Sequence, residues 1–259
     1  MKDFIAADFS PLLARHGLAA FSALWALELD SVDLPNTGRG GWSSVSRLEL
    51  ADEHGQIHAF YLKRQIGHLS RSLRHPLGEA TFAREFRNIR QYQQRGIPAL
   101  KAAYFGQRRI AGKACAMLIT RALDDYRPLD AWLHDWAELP RQTRRYLIDQ
   151  AAALIRTLHA AGRLHNCLYP KHIFIRPPGS SAEGPAACLI DLEKTRRLGF
   201  ASGERVRDLD TLNRHSRGPS AAERLRFLLG YAARPKVDDV IRQLARAVIK
   251  REARKSARR

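Results

Sequence analysis

Hydrophobic positions in the C-terminal half of the chain predict one long helix. Apolar residues recur at helical spacing on one face from residue 146 to residue 158. Pro140 precedes this run, and proline is favoured in the first turn of a helix. Gly162 follows it and supplies the left-handed turn that stops a helix.

The chain after this helix predicts a polar loop and a hairpin. The loop opens with His165, and two short apolar runs, 173–175 and 187–190, flank a stretch rich in proline, glycine and serine. The second run ends on Asp191, where a buried strand meets the surface. A helix, a loop with histidine, a hairpin and a terminal aspartate follow one another in the catalytic core of protein kinases. An ordinary hairpin with a polar approach loop gives the same pattern.

The polar loop differs from the kinase pattern H-R-D-L-x-x-x-N at two functional positions. It keeps the histidine and the leucine, but Cys167 stands at the catalytic aspartate and His172 at the metal-binding asparagine. Asp191 stands at the aspartate of D-F-G. A thiol with an ordinary pKa of about 8.5 replaces a carboxylate poorly as a proton acceptor. This substitution leaves both a slow kinase and a nucleotide-binding protein without catalysis open.

The N-terminal half predicts a small sheet that carries a glycine-rich loop. Residues 4–29 predict a short leading helix and a connector. The next stretch fits G-x-G-x-x-S-x-V, in which glycines let backbone amides approach phosphates. A lone glycine cluster is a weak signal, because most such clusters are turns. The candidate phosphate-binding residues are Gly38, Gly40, Gly41 and Ser43.

A lysine and a glutamate follow this loop in the order found in kinases. The strand after the turn 52–55 ends at Lys63, where a kinase holds the lysine of V-A-I-K. A helix is predicted over 79–94, and Glu85 lies between its apolar positions. We expect Glu85 to pair with Lys63, with Glu79 as the alternative. A surface strand lysine and an exposed helix acid are the plain interpretations of these residues.

Later segments predict a helical lobe with a basic tail. A helix starting near Asp208 would place that carboxylate under the His165 loop as an acceptor of backbone amides. A cap at the helix N-terminus is the simpler role for the same acid, and the two roles are compatible. Two final helices are predicted over 220–231 and 237–250. The stretch 250–259 is mostly basic and is predicted to fray.

Composition bounds the size, location and partners of the protein. The chain has 259 residues, 45% of them hydrophobic, enough for one large domain or two modest lobes. No run reaches the ~18 apolar residues of a membrane span, and the first residues lack the pattern of a signal peptide. Three widely separated cysteines without metal spacing fit a reducing cytoplasm.

A net charge of +18 favours a polyanionic partner, which could be a nucleic acid, an acidic membrane face or a phosphorylated saccharide. No zinc-finger spacing or aromatic RNP-like strand accompanies the charge, so we do not expect nucleic-acid binding. A solvated basic surface is the simpler interpretation of the same number.

Five motifs together resemble the bacterial lipopolysaccharide-kinase family, a Kdo/WaaP-like group that includes InaA-type proteins. They are REFRNIR at 84–90, RGIP at 95–98, LHAAGRLHN with YPKHIF at 158–174, IDLEKTRR at 190–197 and RDLDTLNR at 207–214. The resemblance implies an α+β, two-lobed protein-kinase-like fold. Residues 1–121 would form an N-terminal lobe with a small antiparallel sheet and one helix, and residues 122–259 a mainly helical lobe.

The resemblance also implies a function, namely transfer of the γ-phosphate of ATP to a heptose or Kdo hydroxyl of the lipopolysaccharide core. The protein would then lie on the cytoplasmic side of the inner membrane, where its basic surface suits an anionic saccharide acceptor and peripheral contact with the membrane. The implied ATP-binding residues are Gly38, Gly40, Gly41, Ser43, Lys63 and Glu85. The implied Mg²⁺ and catalytic residues are Asp191, His172, His165, Cys167 and Lys63.

Two other functions stay open beside this one. Because Cys167 replaces the catalytic aspartate, the alternative function is that of an InaA-type nucleotide-binding pseudokinase, a stress- or envelope-associated protein of this family. A kinase that acts on another small molecule or on protein is the third hypothesis.

Overall fold

A computed structural model describes residues 3–38, 41–72, 75–181, 183–199 and 203–257. The chain divides into two compact units. The first comprises Met1–Gln91 with Leu100–Asp124, and the second comprises Tyr92–Ala99 with Asp125–Arg259. Each unit is described by itself.

The first unit is built on a five-stranded antiparallel sheet with strand order β1-β6-β7-β3-β2. A separate hairpin pairs β4 with β5. The strands are β1 (Phe4–Ile5), β2 (Trp42–Ala51), β3 (Ile57–Ile66), β4 (Leu69–Ser72), β5 (His75–Ala80), β6 (Ala102–Ile110) and β7 (Lys113–Arg121). The helices are α1 (Ser10–Arg15), α2 (Phe21–Trp25) and α3 (Thr81–Gln94), the last of which ends in the second unit.

The alternation of side chains along β3 decides what each face of the sheet contacts. Phe60 and Leu62 are fully buried in a core that also holds Leu13 of α1 and Leu24 of α2. Because successive side chains of a strand point to opposite faces, Lys63 points away from this core. The core on one face thereby leaves the other face of β3 for the charged residues of the candidate site.

The N-terminal region differs from the prediction in three places. The leading segment holds β1 and two short helices instead of one helix, because β1 pairs with β6 over two residues, too few to leave a periodic signal. Strand β3 continues to Ile66, so Lys63 lies inside it and not at its end. Helix α3 begins at Thr81, which leaves Glu79 in β5.

The second unit is mainly helical, with short strands around the predicted polar loop. The helices are α4 (Leu129–His134), α5 (Arg141–Ala160), α6 (Glu204–His215), α7 (Ala221–Ala232) and α8 (Asp239–Ser256). The strands are β8 (Arg127–Pro128), β9 (Arg163–Leu164), β10 (Ile173–Ile175), β11 (Ala187–Leu189) and β12 (Arg196–Arg197). Among the described residues, no helix combines the length and the apolar character that crossing a membrane requires.

The central features of this unit agree with the sequence pattern. Helix α5 has Pro140 at its N-cap and buries Leu147, Leu154 and Leu158 on one face. The predicted hairpin is β10 paired with β11, and β8 adds a third strand that the sequence did not predict. The two predicted final helices are α7 and α8.

The prediction that the basic tail frays is wrong for residues up to 256. Helix α8 continues to Ser256, six residues beyond the predicted end. The reason is a buried carboxylate on α6, Asp210, whose Oδ2 lies 3.4 Å from Arg251 Nε and 3.7 Å from Lys255 Nζ. These two ion pairs hold the last turns of α8 against α6.

Candidate active site

The first unit contains the predicted ion pair between β3 and α3. Lys63 Nζ donates a hydrogen bond to Glu85 Oε1 at 2.7 Å, and the two side chains are 19% and 4% exposed. Glu85 lies on the inner face of α3, next to Phe86, whose ring stacks on Phe105 of β6. No second hydrogen-bond acceptor contacts the Lys63 ammonium among the described residues, so donors remain for an anionic ligand.

The alternative prediction, that Glu79 pairs with Lys63, is wrong. Glu79 is held by Arg87, which donates to Glu79 Oε2 at 2.8 Å and to Oε1 at 2.5 Å. This bidentate pair ties β5 to α3 and leaves Glu85 as the glutamate that reaches Lys63.

A buried glutamine that the sequence interpretation missed fixes the start of α3. Gln65 is fully buried on the same face of β3 as Lys63. Its Oε1 accepts from Thr81 Oγ1 at 2.7 Å and from Phe82 N–H at 2.9 Å, and its Nε2 donates to the His68 carbonyl at 2.6 Å. Gln65 therefore positions the helix that carries Glu85. A polar residue two positions after Lys63 in a buried strand was the available signal.

The described part of the glycine-rich loop is closed by backbone pairing. Asn36 and Ser43 exchange two backbone hydrogen bonds of 2.9 and 3.0 Å. The Ser43 amide is therefore committed to the backbone and does not face a ligand. Gly38 lies inside the loop, where its amide donates to Asn36 Oδ1 at 3.0 Å. The predicted residue Gly40 lies outside the described residues.

Gly41 packs closely against a histidine side chain. A Cβ atom at this position would lie 1.9 Å from Cδ2 of His68. Only glycine allows the imidazole ring to approach the loop so closely. The sequence pattern indicated a phosphate cradle here, and it gave no sign of the histidine.

In the second unit, Asp208 organises the loop that begins at His165. Its Oδ2 accepts from His165 N–H at 2.7 Å, and its Oδ1 accepts from Asn166 N–H at 2.9 Å. Helix α6 begins at Glu204, so Asp208 lies in its second turn. The predicted role as acceptor of loop amides is confirmed, and the alternative role as helix cap is wrong.

His165 joins the loop to the end of β11. The side chain is fully buried, and its Nε2 lies 2.9 Å from the Ile190 carbonyl. Because a carbonyl only accepts, Nε2 carries the hydrogen. Burial lowers the pKa of His165, so the imidazole is neutral at pH 7. This geometry suits positioning of the loop rather than contact with a substrate.

The two residues predicted to hold a metal lie next to each other. His172 Nδ1 donates to the Cys167 carbonyl at 2.8 Å, and His172 Nε2 lies 3.3 Å from Asp191 Oδ2. Asp191 is 41% exposed and has a left-handed backbone with φ of 55°. Such a conformation is uncommon for a residue other than glycine and is concentrated at functional sites.

These residues fit Mg²⁺ through one carboxylate. No group of three or more His, Cys, Asp or Glu side chains suited to a metal is found in the described ranges. Mg²⁺ prefers oxygen ligands, keeps several waters and is often bound by one or two carboxylates with substrate phosphates. Asp191 meets this requirement, whereas the Nδ1 hydrogen of His172 is used by the Cys167 carbonyl and Nε2 of His172 only lies beside the carboxylate.

Cys167 cannot act as a proton acceptor near neutral pH. Its side chain is half-buried, and this burial raises the pKa of the thiol, with further contributions from the Asp191 and Asp208 carboxylates. The nearby Lys194 partly opposes the shift. The thiol therefore stays protonated at pH 7, as the comparison with the kinase pattern indicated.

A model of the lipopolysaccharide kinase (Kdo/WaaP) family matches residues 22–231. The chain belongs to this family. It is 30% identical over 179 residues to protein InaA of Escherichia coli K12, covering 68% of this chain and 79% of that protein. The family resemblance inferred from the five motifs is confirmed.

Two lipopolysaccharide core heptose(I) kinases named WaaP are also similar. The enzyme of Escherichia coli is 28% identical over 180 residues, which is 66% of each chain. That of Pseudomonas aeruginosa PAO1 is 27% identical over 158 residues, which is 58% of this chain and 59% of the enzyme. The matches thus span about two thirds or less of these kinases.

The fold of this family member matches a solved structure of WaaP in complex with acyl carrier protein. The TM-score is 0.68 at 21% sequence identity, and the match covers 100% of this chain and 99% of that one. WaaP has a protein-kinase-like fold, so the predicted α+β kinase-like fold is confirmed.

Proposed function

We propose that this protein is an ATP-dependent kinase that phosphorylates a sugar hydroxyl of the lipopolysaccharide core. The observation that carries the proposal is the buried ion pair between Lys63 and Glu85. Burying two charges is costly, and kinases need this pair to hold the nucleotide phosphates. Membership of the lipopolysaccharide kinase family supports the saccharide acceptor.

In the proposed reaction, Lys63 and Asp191 have separate roles toward the phosphates. Lys63 binds the α- and β-phosphates and is oriented by Glu85. Asp191 would hold Mg²⁺, which would supply positive charge next to the transferred phosphate. Asp208 and His165 fix the loop beside the acceptor hydroxyl. The transition state is loose, so charge neutralisation and positioning support transfer without a base at Cys167.

The second candidate function is nucleotide binding without transfer. The protonated thiol of Cys167 favours it, because general-base assistance is typically worth about 10²–10⁴-fold. The similarity to InaA is compatible with either function.

Phosphate transfer to purified core oligosaccharide separates the two functions. We expect transfer from γ-labelled ATP above the background without protein, and its loss in Lys63→Met and Asp191→Ala. Lys101→Met is the matched control, because Lys101 is an exposed lysine of the same unit as Lys63. ATP binding without transfer to heptose- or Kdo-containing acceptors would favour the second function.

We also propose that the protein binds an acyl group delivered by acyl carrier protein, the partner in the similar WaaP structure. The second unit has an apolar cavity of about 500 Å³ among α4 to α8. No residue of α7 is fully buried, although Leu225, Phe227 and Leu228 line the cavity. The space beneath this helix is thus only partly filled by side chains.

Filling the cavity tests this partner. We expect Ala245→Phe, which places a ring in the cavity, to weaken binding of acylated carrier protein in calorimetry. Ala253→Phe adds the same ring at an exposed position of α8 and is the control. Equal affinities for the acylated and unacylated carrier protein would remove the acyl group from the proposal. We propose that phosphate transfer and acyl binding both take place on the cytoplasmic side of the inner membrane.

A further inference from the structure

Helix α8 carries a line of four cations on its outer face. Arg242, Arg246, Lys250 and Arg254 are all exposed and follow one another at intervals of four residues. Residues four apart are neighbours on a helix surface. At 1.5 Å per residue the line spans about 18 Å. We name these four residues the α8 stripe.

Most of the α8 stripe has no counter-charge within the protein. Arg242 pairs with Asp239 in the first turn of the helix. Arg246, Lys250 and Arg254 make no ion pair with any part of the chain that the structure describes. Like charges four residues apart weaken a helix. An arrangement that costs helix stability indicates a negatively charged partner outside the molecule.

The charged side chains on the inner face of α8, in contrast to the stripe, have partners within the protein. Arg251 and Lys255 face Asp210, and Glu252 accepts a hydrogen bond from Asn213 at 3.0 Å. The inner face is thereby used to hold α8 against α6. The α8 stripe takes no part in this packing.

An exposed apolar side chain borders the α8 stripe. Ile249 is 63% exposed and lies three residues after Arg246, so the two side chains are neighbours on the helix surface. A basic helix with exposed apolar residues is typical of helices that lie in the interface of an anionic bilayer. A nucleic-acid backbone would use the cations and leave Ile249 in water.

We infer that the α8 stripe docks the protein on a membrane surface rich in anionic lipid. The three unpaired cations contact negatively charged headgroups, and Ile249 enters the boundary between headgroups and acyl chains. Docking is independent of ATP binding and of phosphate transfer, because none of these residues belongs to the candidate site. Loss of three such cations is expected to weaken binding about 100-fold.

Vesicle flotation with the full chain tests the inference. We expect binding to vesicles of phosphatidylcholine and phosphatidylglycerol in the ratio of ~7:3, and weak binding to vesicles of phosphatidylcholine alone. Binding to the anionic vesicles should decrease as the salt concentration rises. Arg246→Gln/Lys250→Gln/Arg254→Gln should weaken binding about 100-fold. Ile249→Ser should weaken it while leaving the charge unchanged.

The matched control removes three exposed cations elsewhere, in Arg15→Gln/Lys101→Gln/Lys113→Gln. Circular dichroism and thermal melting verify that every variant is folded. Equal weakening by both triple variants would show a general charge effect and overturn the inference. Undiminished vesicle binding by the α8 variant, or a loss confined to binding of duplex DNA or RNA, would overturn it as well.

Discussion

The ion pair between Lys63 and Glu85 should contribute unequally to stability from its two sides. Lys63→Met leaves the Glu85 carboxylate, which is 4% exposed, charged and without its partner. Breaking a buried pair in this way typically costs about 3–5 kcal/mol. Glu85→Gln should cost less, about 1–2 kcal/mol, since the amide oxygen still accepts a hydrogen bond and the ammonium, 19% exposed, reaches water.

Replacing both Lys63 and Glu85 separates the attraction between the two charges from the cost of removing them from water. At 2.7 Å and an effective dielectric constant of about 20, the attraction is ~6 kcal/mol. The loss of hydration of both charges offsets most of this. Lys63→Met/Glu85→Met removes both effects, so its free energy of unfolding should lie within about 1 kcal/mol of the native protein.

Urea unfolding without nucleotide measures these free energies. The control is the exposed pair of Arg47 and Asp124 in the same unit, whose side chains are 37% and 54% exposed. Asp124→Asn should cost about 0.2–1 kcal/mol. A cost for Lys63→Met as small as that of the control would refute the reasoning. So would a double variant that is no more stable than Lys63→Met alone.

Three further predictions concern the candidate site. Cys167→Asp should raise phosphate transfer about 10²-fold or more without changing ATP affinity, as measured by labelled-phosphate transfer and calorimetry; an unchanged rate would show that another group already positions the hydroxyl. Asp191→Ala should abolish the Mg²⁺-dependent stabilisation by ATP in a thermal shift assay, whereas the exposed control Asp125→Ala should retain it. Gly41→Ala should destabilise the protein by about 1–3 kcal/mol in urea unfolding, and adding His68→Ala should recover most of the loss, because the new methyl group collides with that ring.

Local sequence signals determined the elements that lie near the candidate site. The period of apolar residues and Pro140 specified α5, and the two short apolar runs specified the hairpin of β10 and β11. The order of glycine loop, strand lysine and helix glutamate was enough to expect the pair of Lys63 and Glu85. These signals work because capping, periodicity and turn formation depend on residues close together in the chain.

Long-range contacts decided what the sequence left open. Whether Glu79 or Glu85 reaches Lys63 depends on where α3 begins, and buried Gln65 sets that point. Whether Asp208 caps α6 or holds the loop depends on amides 42 and 43 residues away. The basic tail remains helical because Asp210 lies behind it. Each outcome depends on a buried polar group finding a distant partner, and the cost of leaving such a group unpaired appears only once the chain is folded.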